Sequence, residues 1–321
     1  MRNIISLIQS NKDVERINRL FSENKDIYIN NTNEDNALLV LLALYYKNQE
    51  SIFVVTPNLY KAQLLYDKLS RVLDKNEISF YPQDEFLTNE LLVSSIEFRL
   101  ERINTIVKSL EKTKRIIITN LYGLLKPQLP YEKWKNSEIK IETNSIYDID
   151  ELKNVLIEYG YKKEYTVEKM GDFSIRGGII DIFPVNSKQP YRLDFFGDEV
   201  EIIKSFDIDT QRSIDVVERF SIYPIIEFFY NESELTKLKL IIDEKRKSIN
   251  FSKDAIDAIK DDIEKLDSRE ELDRLNRYLP FLTDKHYKIT DIVKNSKLFF
   301  LDYHRSLEQH EILIEEIKEW Y

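Results

Sequence analysis

The sequence predicts an α/β protein in three segments. Residues 1–130 read as a parallel-sheet layer, residues 131–217 as a compact α+β unit, and residues 218–321 as a mostly helical return with one more strand. Three observations carry this. Strand-like and helix-like runs alternate in the first segment, the signal of a parallel sheet with crossover helices. Four of the six glycines (Gly171, Gly177, Gly178 and Gly197) crowd into the second segment, where short apolar runs need tight turns. Beyond residue 218 the apolar spacing becomes helical.

In the first segment the expected strands are Asp26–Asn30, Ser51–Thr56, Glu77–Tyr81 and Arg115–Thr119. Helical spacing fills Ala37–Tyr46, Leu59–Leu73 and Val93–Leu110. "KPQLPYEKW" breaks the alternation with two prolines. In the second segment "SEIKIET" is a strand, and "DIDELKNVLIEYGY" is a helix capped by Asp148 or Asp150 and ended by Gly160. Three strands follow: "FSIR", "IIDIFP" and "YRLDFFGDEVEII". In the third, "SKDAIDAIKDDIEKL" aligns Ile256, Ile259 and Ile263 behind an N-cap at Ser252. "YLPFL" interrupts the helices, "SKLFFLDYH" reads as a buried strand, and "SLEQHEILIEEIKEWY" closes with an amphipathic helix.

With 321 residues, two or three domains are expected, and 42% hydrophobic residues suffice for real cores. The net charge of -10 and pI near 5.1 argue against an extended duplex-binding surface, which needs cationic excess. With no cysteine, disulfides, thiolate metal sites and thiol nucleophiles are excluded. The three histidines, His286, His304 and His310, lack chelating spacing, so no metal site and no catalytic residue are expected. The opening "MRNIISLIQSNKDVERINRL" turns charged too early for a signal peptide, and no apolar run approaches ~18 residues. A cytoplasmic protein with no membrane partner is the expectation.

"IYINNTNEDNALLVLLALYY" has the outline of a P-loop entry: strand, loop, helix. A P-loop needs glycines that expose backbone N–H groups, a lysine on the phosphates and a Ser/Thr on magnesium. The loop "NNTNEDNA" has neither glycine nor lysine, and Glu34 and Asp35 add negative charge that repels a nucleotide. The late acidic pair expected for magnesium and water is also missing, since Asp302 is followed by Tyr303. No ATP, magnesium or other cofactor is expected to bind.

The specific signal is "MGDFSIRGGIIDIFPVNSKQPYRLDFFGDEVEIIKSFDIDTQRS", residues 170–213. Strand alternation puts Tyr191, Leu193 and Phe195 on one face and Arg192, Asp194 and Phe196 on the other. An exposed phenylalanine beside arginines is the composition of an interaction hot spot. The same residues also permit a purely structural arrangement, in which Phe196 packs on the unit's helix and the arginines pair with Asp194 or Asp198. The whole segment resembles the N-terminal UvrB-like module of bacterial transcription-repair coupling factors (Mfd) and, more distantly, the excinuclease subunit UvrB. The pattern G-[DE]-[FY]-x-x-R-G-x-x-[IL]-D-[IL]-F-P, then Y-R-[LI]-[DE]-F-F-x-[DE]-E and F-D-x-x-[ST]-Q-R, is met at every fixed position.

The resemblance implies a degenerate RecA-like domain, an inserted α+β docking domain and a helical return that completes the first. It implies that Arg176, Arg192 and Phe196 form a surface for UvrA, the damage-scanning subunit of nucleotide excision repair, with Asp194 orienting Arg192. It further implies a non-catalytic UvrB mimic that recruits UvrA to lesions where RNA polymerase has stalled. Contacts with RNA polymerase and duplex DNA, and an ATP-driven translocase, would lie in parts of the family's longer proteins outside these residues. The competing expectations are a true UvrB-type ATPase that loads DNA, which needs the missing loop chemistry and an aromatic hairpin that "FYPQDEFLTNE" is too short to supply, and a nucleic-acid-binding module, which the acidic charge opposes.

Overall fold

The computed structural model describes residues 2–30, 32–84, 95–248, 252–269, 272–283 and 285–320. Its strands, in chain order, are β1 (Ser51–Thr56), β2 (Ile78–Tyr81), β3 (Ile116–Asn120), β4 (Ile139–Glu142), β5 (Lys162–Lys163), β6 (Asp172–Arg176), β7 (Ile179–Ile182), β8 (Tyr191–Phe196), β9 (Glu199–Phe206), β10 (Ser213–Val217), β11 (Arg219–Ile222) and β12 (Ser296–Phe300). They fall into two compact units. One comprises Met1–Asn89, Glu111–Lys126 and Val293–Tyr321; the other comprises Glu90–Leu110 and Pro127–Ile292. The helix Ile96–Leu110 therefore joins the second unit, and the last strand and helix join the first.

The first unit is built on a parallel sheet of order β12-β1-β3-β2. β1, β2 and β3 are buried along their whole length, which is why "SIFVVT", "ISFY" and "IIITN" read as continuous rather than alternating apolar runs. The helix Glu34–Lys47 starts at Asn33, whose side chain accepts from the Asn36 N–H, and buries Leu38, Leu41, Leu42 and Tyr45. At its other end the Lys114 ammonium donates to the carbonyls of Tyr45 (2.9 Å) and Asn48 (2.8 Å), a cation at the negative pole of the helix. Gly123 is fixed by close approach: a Cβ there would lie 2.8 Å from the Tyr81 carbonyl oxygen.

Two strand expectations change in this unit. Asp26–Asn30 belongs to no sheet; β12, not this segment, pairs with β1. The segment is poorly suited to a parallel sheet in any case, since Tyr28 and Ile29 are both exposed. β12 is not a buried strand; as the sheet's edge it is half-buried, with Leu298 exposed. The stretch "FYPQDEFLTNE" begins at the end of β2, and its residues 85–90, like the start of the helix expected at Val93, lie outside the described residues.

The second unit holds a six-stranded sheet of order β10-β9-β8-β7-β6-β5 and a two-stranded sheet of β11 and β4. Only the β5–β6 pair is parallel. Helix Ile149–Glu158 is capped by Asp148, not Asp150, which accepts from the Glu151 N–H at 2.9 Å. It ends in a Schellman motif: Tyr161 N–H donates to the Leu156 carbonyl and Gly160 N–H to that of Ile157, with Gly160 at φ +85°. The "YLPFL" interruption lies inside a 3₁₀ run, Leu272–Leu282.

A buried ion pair ties this unit together across the chain. Arg102, on helix Ile96–Leu110, donates through Nε to Glu227 Oε1 (2.9 Å) and through Nη2 to Oε2 (2.7 Å), and both side chains are 1% exposed. Gln128 Nε2 donates to the same carboxylate at 3.2 Å. Removing one partner strands a charge in the core. Arg102→Ala is therefore expected to lower stability by about 3–5 kcal/mol, and Arg102→Met combined with Glu227→Leu to recover most of that loss. Urea unfolding of the single and double variants checks both statements.

Candidate docking surface

The surface is set by the pleat of β6 to β9. One face of the sheet is core: Phe173, Ile180, Ile182, Leu193, Val200 and Ile203 are fully buried. The other face receives Ser174 and Arg176 from β6, Ile179 and Asp181 from β7, Arg192, Asp194 and Phe196 from β8, and Ile202 and Lys204 from β9. β7 lies between the two arginine-bearing strands, so Arg176 and Arg192 are not on neighbouring strands.

What joins them is Asp181. It is opposite Arg192 in register and diagonal to Arg176. Its carboxylate is 1% exposed and accepts from Arg192 Nε (2.7 Å), Arg192 Nη2 (2.9 Å) and Arg176 Nη2 (2.7 Å). The bidentate contact raises the pKa of the Arg192 guanidinium further above its ordinary value. That guanidinium also lies over the Phe206 ring, 4.8 Å from its centre, and its Nη1 sits 3.5 Å from the Gln211 carbonyl. Gln211, at φ +58°, is held in the "FDIDTQRS" turn by its own N–H to the Asp207 carbonyl and by its side chain to Val167 and Ile208. That turn thus closes one end of the face.

Asp194 does not orient Arg192. Its carboxylate accepts from Lys204 at 2.7 Å, diagonally across β8 and β9, and contributes only a lesser field at Arg192. Neither Asp194 nor Asp198 is the arginines' partner; Asp181 takes that role. Phe196 does not pack on the unit's helix: it is 76% exposed. The register of β8 and β9 shifts between Asp194 and Phe195, leaving Glu201 without an opposite residue, just before the turn through Gly197 at φ +61°. Such a bulge redirects the side chains around it. Ile146 bridges to Glu199, which also pairs with Phe196, so the three share a row on this face; Ile146 is 79% exposed. Sequence reading missed Asp181 and Ile146. Asp181 had a signal: a two-residue "GG" turn pairs Arg176 with Ile179 and so fixes where the lone acid of "IIDIFP" falls.

The first unit contains a cleft of about 1500 Å³ beside the loop that has the P-loop outline, lined by Asn33, Glu34, Thr56, Lys61, Asp302 and Tyr303 among others. Two of its cations, beside the loop, are matched by acids. Lys61 pairs with Asp302 at 3.1 Å, and Lys68 with Asp35 at 2.5 Å and Glu34 at 3.9 Å.

Residues 139–228, which span the sheet of β5 to β10, match the family model described as UvrB interaction domain. The relatives found are named transcription-repair-coupling factor. That of Staphylococcus haemolyticus is 32% identical over 240 residues, 74% of this chain and 20% of the relative. That of Bacillus subtilis is 30% identical over 310 residues, 94% of this chain and 26% of the relative. One from Staphylococcus aureus is 30% identical over 239 residues, with 74% and 20% coverage. The chain is thus related over most of its length to transcription-repair-coupling factors, as its motifs implied, and spans between 20% and 26% of the length of these relatives. Among the described residues no helix is long and apolar enough to cross a membrane.

The geometry separates the motif's residues by role. Arg192 is 20% exposed and is bound into the fold; Phe196 is bound to nothing that its exposure would disturb. Arg192→Ala is expected to lower stability by about 2 kcal/mol, by depriving a buried carboxylate of its bidentate partner. Phe196→Ala should stay within about 0.5 kcal/mol of the parent. Thermal and urea unfolding of the two variants distinguish them, and equal losses would contradict the assignment.

Proposed function

We propose that this chain is a non-catalytic docking module that recruits UvrA by presenting the surface UvrB presents. The observation that carries the reading is the exposed Phe196 beside Arg176 and Arg192 on one rigid sheet face, inside the segment that matches the UvrB interaction domain. An aromatic ring on a rigid strand offers contact area at low entropic cost, and an adjoining arginine adds directional hydrogen bonds; such pairs dominate interface energetics. In the parent protein this module would bring UvrA to lesions that have stalled RNA polymerase. ATP-driven translocation, RNA polymerase contact and duplex DNA binding would then reside in regions of the family's longer proteins that these residues do not match.

The module itself would use no cofactor. Lys61 and Lys68, the lysines beside the loop, are already engaged by Asp302 and by Asp35 and Glu34, and the helix start itself carries acids where a P-loop carries glycines and a lysine. A bacterial cytoplasmic location follows from this role.

Two measurements test the proposal. Purified UvrA should bind the chain, UvrB should compete for the same surface, and Phe196→Ala and Arg176→Ala should each weaken binding by about tenfold or more while leaving the fold intact. Failure of the wild-type chain to bind, or equal binding by the folded variants, rejects the surface. Titration with ATP and with duplex DNA near physiological salt should show no saturable micromolar binding.

A further inference from the structure

The docking reading leaves one question about its own surface: why two arginines from non-adjacent strands converge on a single acid. Both oxygens of Asp181 are engaged, Oδ1 by Arg192 and Oδ2 by Arg192 and Arg176 together. The two guanidinium groups carry two positive charges against one carboxylate, so the trio keeps one net positive charge. The arginines share the acid unequally. Arg192 commits Nε and Nη2 to it and is stacked on Phe206. Arg176 commits only Nη2, is 41% exposed, and has no partner for Nε or Nη1 among the described residues.

An unrestrained arginine on a protein surface samples many rotamers, and a partner that grips it must stop that motion. Asp181 stops it in advance. The acid is itself immobilised, buried in the strand and held from the other side by the fork of Arg192. The result is a fixed Arg176 with outward N–H donors, on the same face as Ile179 and Phe196.

We propose that Asp181 is the positioning residue of this surface: through Arg192 it is locked, and through its second oxygen it holds Arg176 in the conformation that UvrA meets. The group on UvrA that receives Arg176 is then a carboxylate, the acceptor that suits the free edge of a guanidinium and the trio's surplus positive charge. This rests on the docking reading above.

The test is a double-mutant cycle on UvrA binding with Asp181→Asn, Arg176→Ala and the combination, each checked for fold by circular dichroism. Asparagine keeps the size of the side chain but accepts only through one oxygen and turns an N–H group towards an arginine. Asp181→Asn should weaken binding by about three- to tenfold, and the loss should shrink markedly in the Arg176→Ala background, leaving only what Arg192 contributes. A purely structural role would not produce that coupling. If Asp181→Asn binds like wild type, or costs the same with and without Arg176, the positioning role is wrong while the docking surface stands. If wild type does not bind UvrA, the docking reading falls and takes this inference with it. A measurement on the unmutated chain guards against a variant that fails to fold: in ¹⁵N relaxation, the Arg176 Nε–Hε group should be more ordered than that of the exposed Arg212. Equal mobility of the two in the free protein overturns the proposal.

Discussion

A carboxylate buried in a fold must find N–H donors, from the backbone as Asp172 does or from cations as Asp181 and Glu227 do, and the second kind joins distant parts of the second unit. Asp181 and Glu227 are both 1% exposed, and each is answered by arginine in a two-pronged contact. An ion left unpaired at such depth costs several kcal/mol, so the chain is obliged to deliver its partners wherever they lie in sequence. For Glu227 the partner is Arg102, from a helix that precedes the unit's sheets by tens of residues. For Asp181 the partners come from the strands on either side. The first pair fixes how a remote helix is held against the segment after β11; the second fixes how the motif's arginines stand on their face.

The first unit illustrates a different constraint. Its parallel strands and the helix Glu34–Lys47 retain the geometry in which other proteins bind phosphates at a helix N-terminus. The residues at that terminus are acidic, which suits the helix dipole without any ligand. Lys68 then compensates Glu34 and Asp35 from the following helix, and Lys61 compensates Asp302. The acids at the helix start are thus answered by a lysine of the same unit, and the helix is held by the apolar residues it buries.

Legibility in sequence tracked how local each determinant is. β1 was recovered residue for residue because a buried parallel strand is written as one apolar run. The cap at Ser252 and the turn at Gly160 were legible because capping depends on a few adjacent residues. Asp26–Asn30 has the local texture of a strand, yet the strand beside β1 comes from some 270 residues later in the chain (Asp26 against Ser296), a pairing that local texture does not reveal. The site followed the same rule. Arg176, Arg192 and Phe196 were singled out through a motif, and the arginines were expected to pair with Asp194 or Asp198 on or just after β8. The true partner is set by strand order, which puts β7 between β6 and β8.

That strand order also changes what the motif means. Arg192 and Arg176 look equivalent in sequence, two arginines beside aromatic residues. In the structure one is bound through Nε and Nη2 to Asp181 and lies over Phe206 beside the Gln211 turn, while the other commits only Nη2. A motif of this kind mixes residues that touch a partner with residues that make the touching surface stiff, and loss of either kind weakens association. The two are told apart by coupling. A contact residue loses its own interaction and leaves the fold unmoved, because nothing inside the protein depended on it. A positioning residue loses nothing of its own at the interface, and its effect disappears once the side chain it positions is gone. On this face Phe196 is exposed, Asp181 is buried, and Arg192 is partly exposed while serving as the counter-ion of Asp181, so under the docking proposal Phe196 is of the first kind and Asp181 of the second.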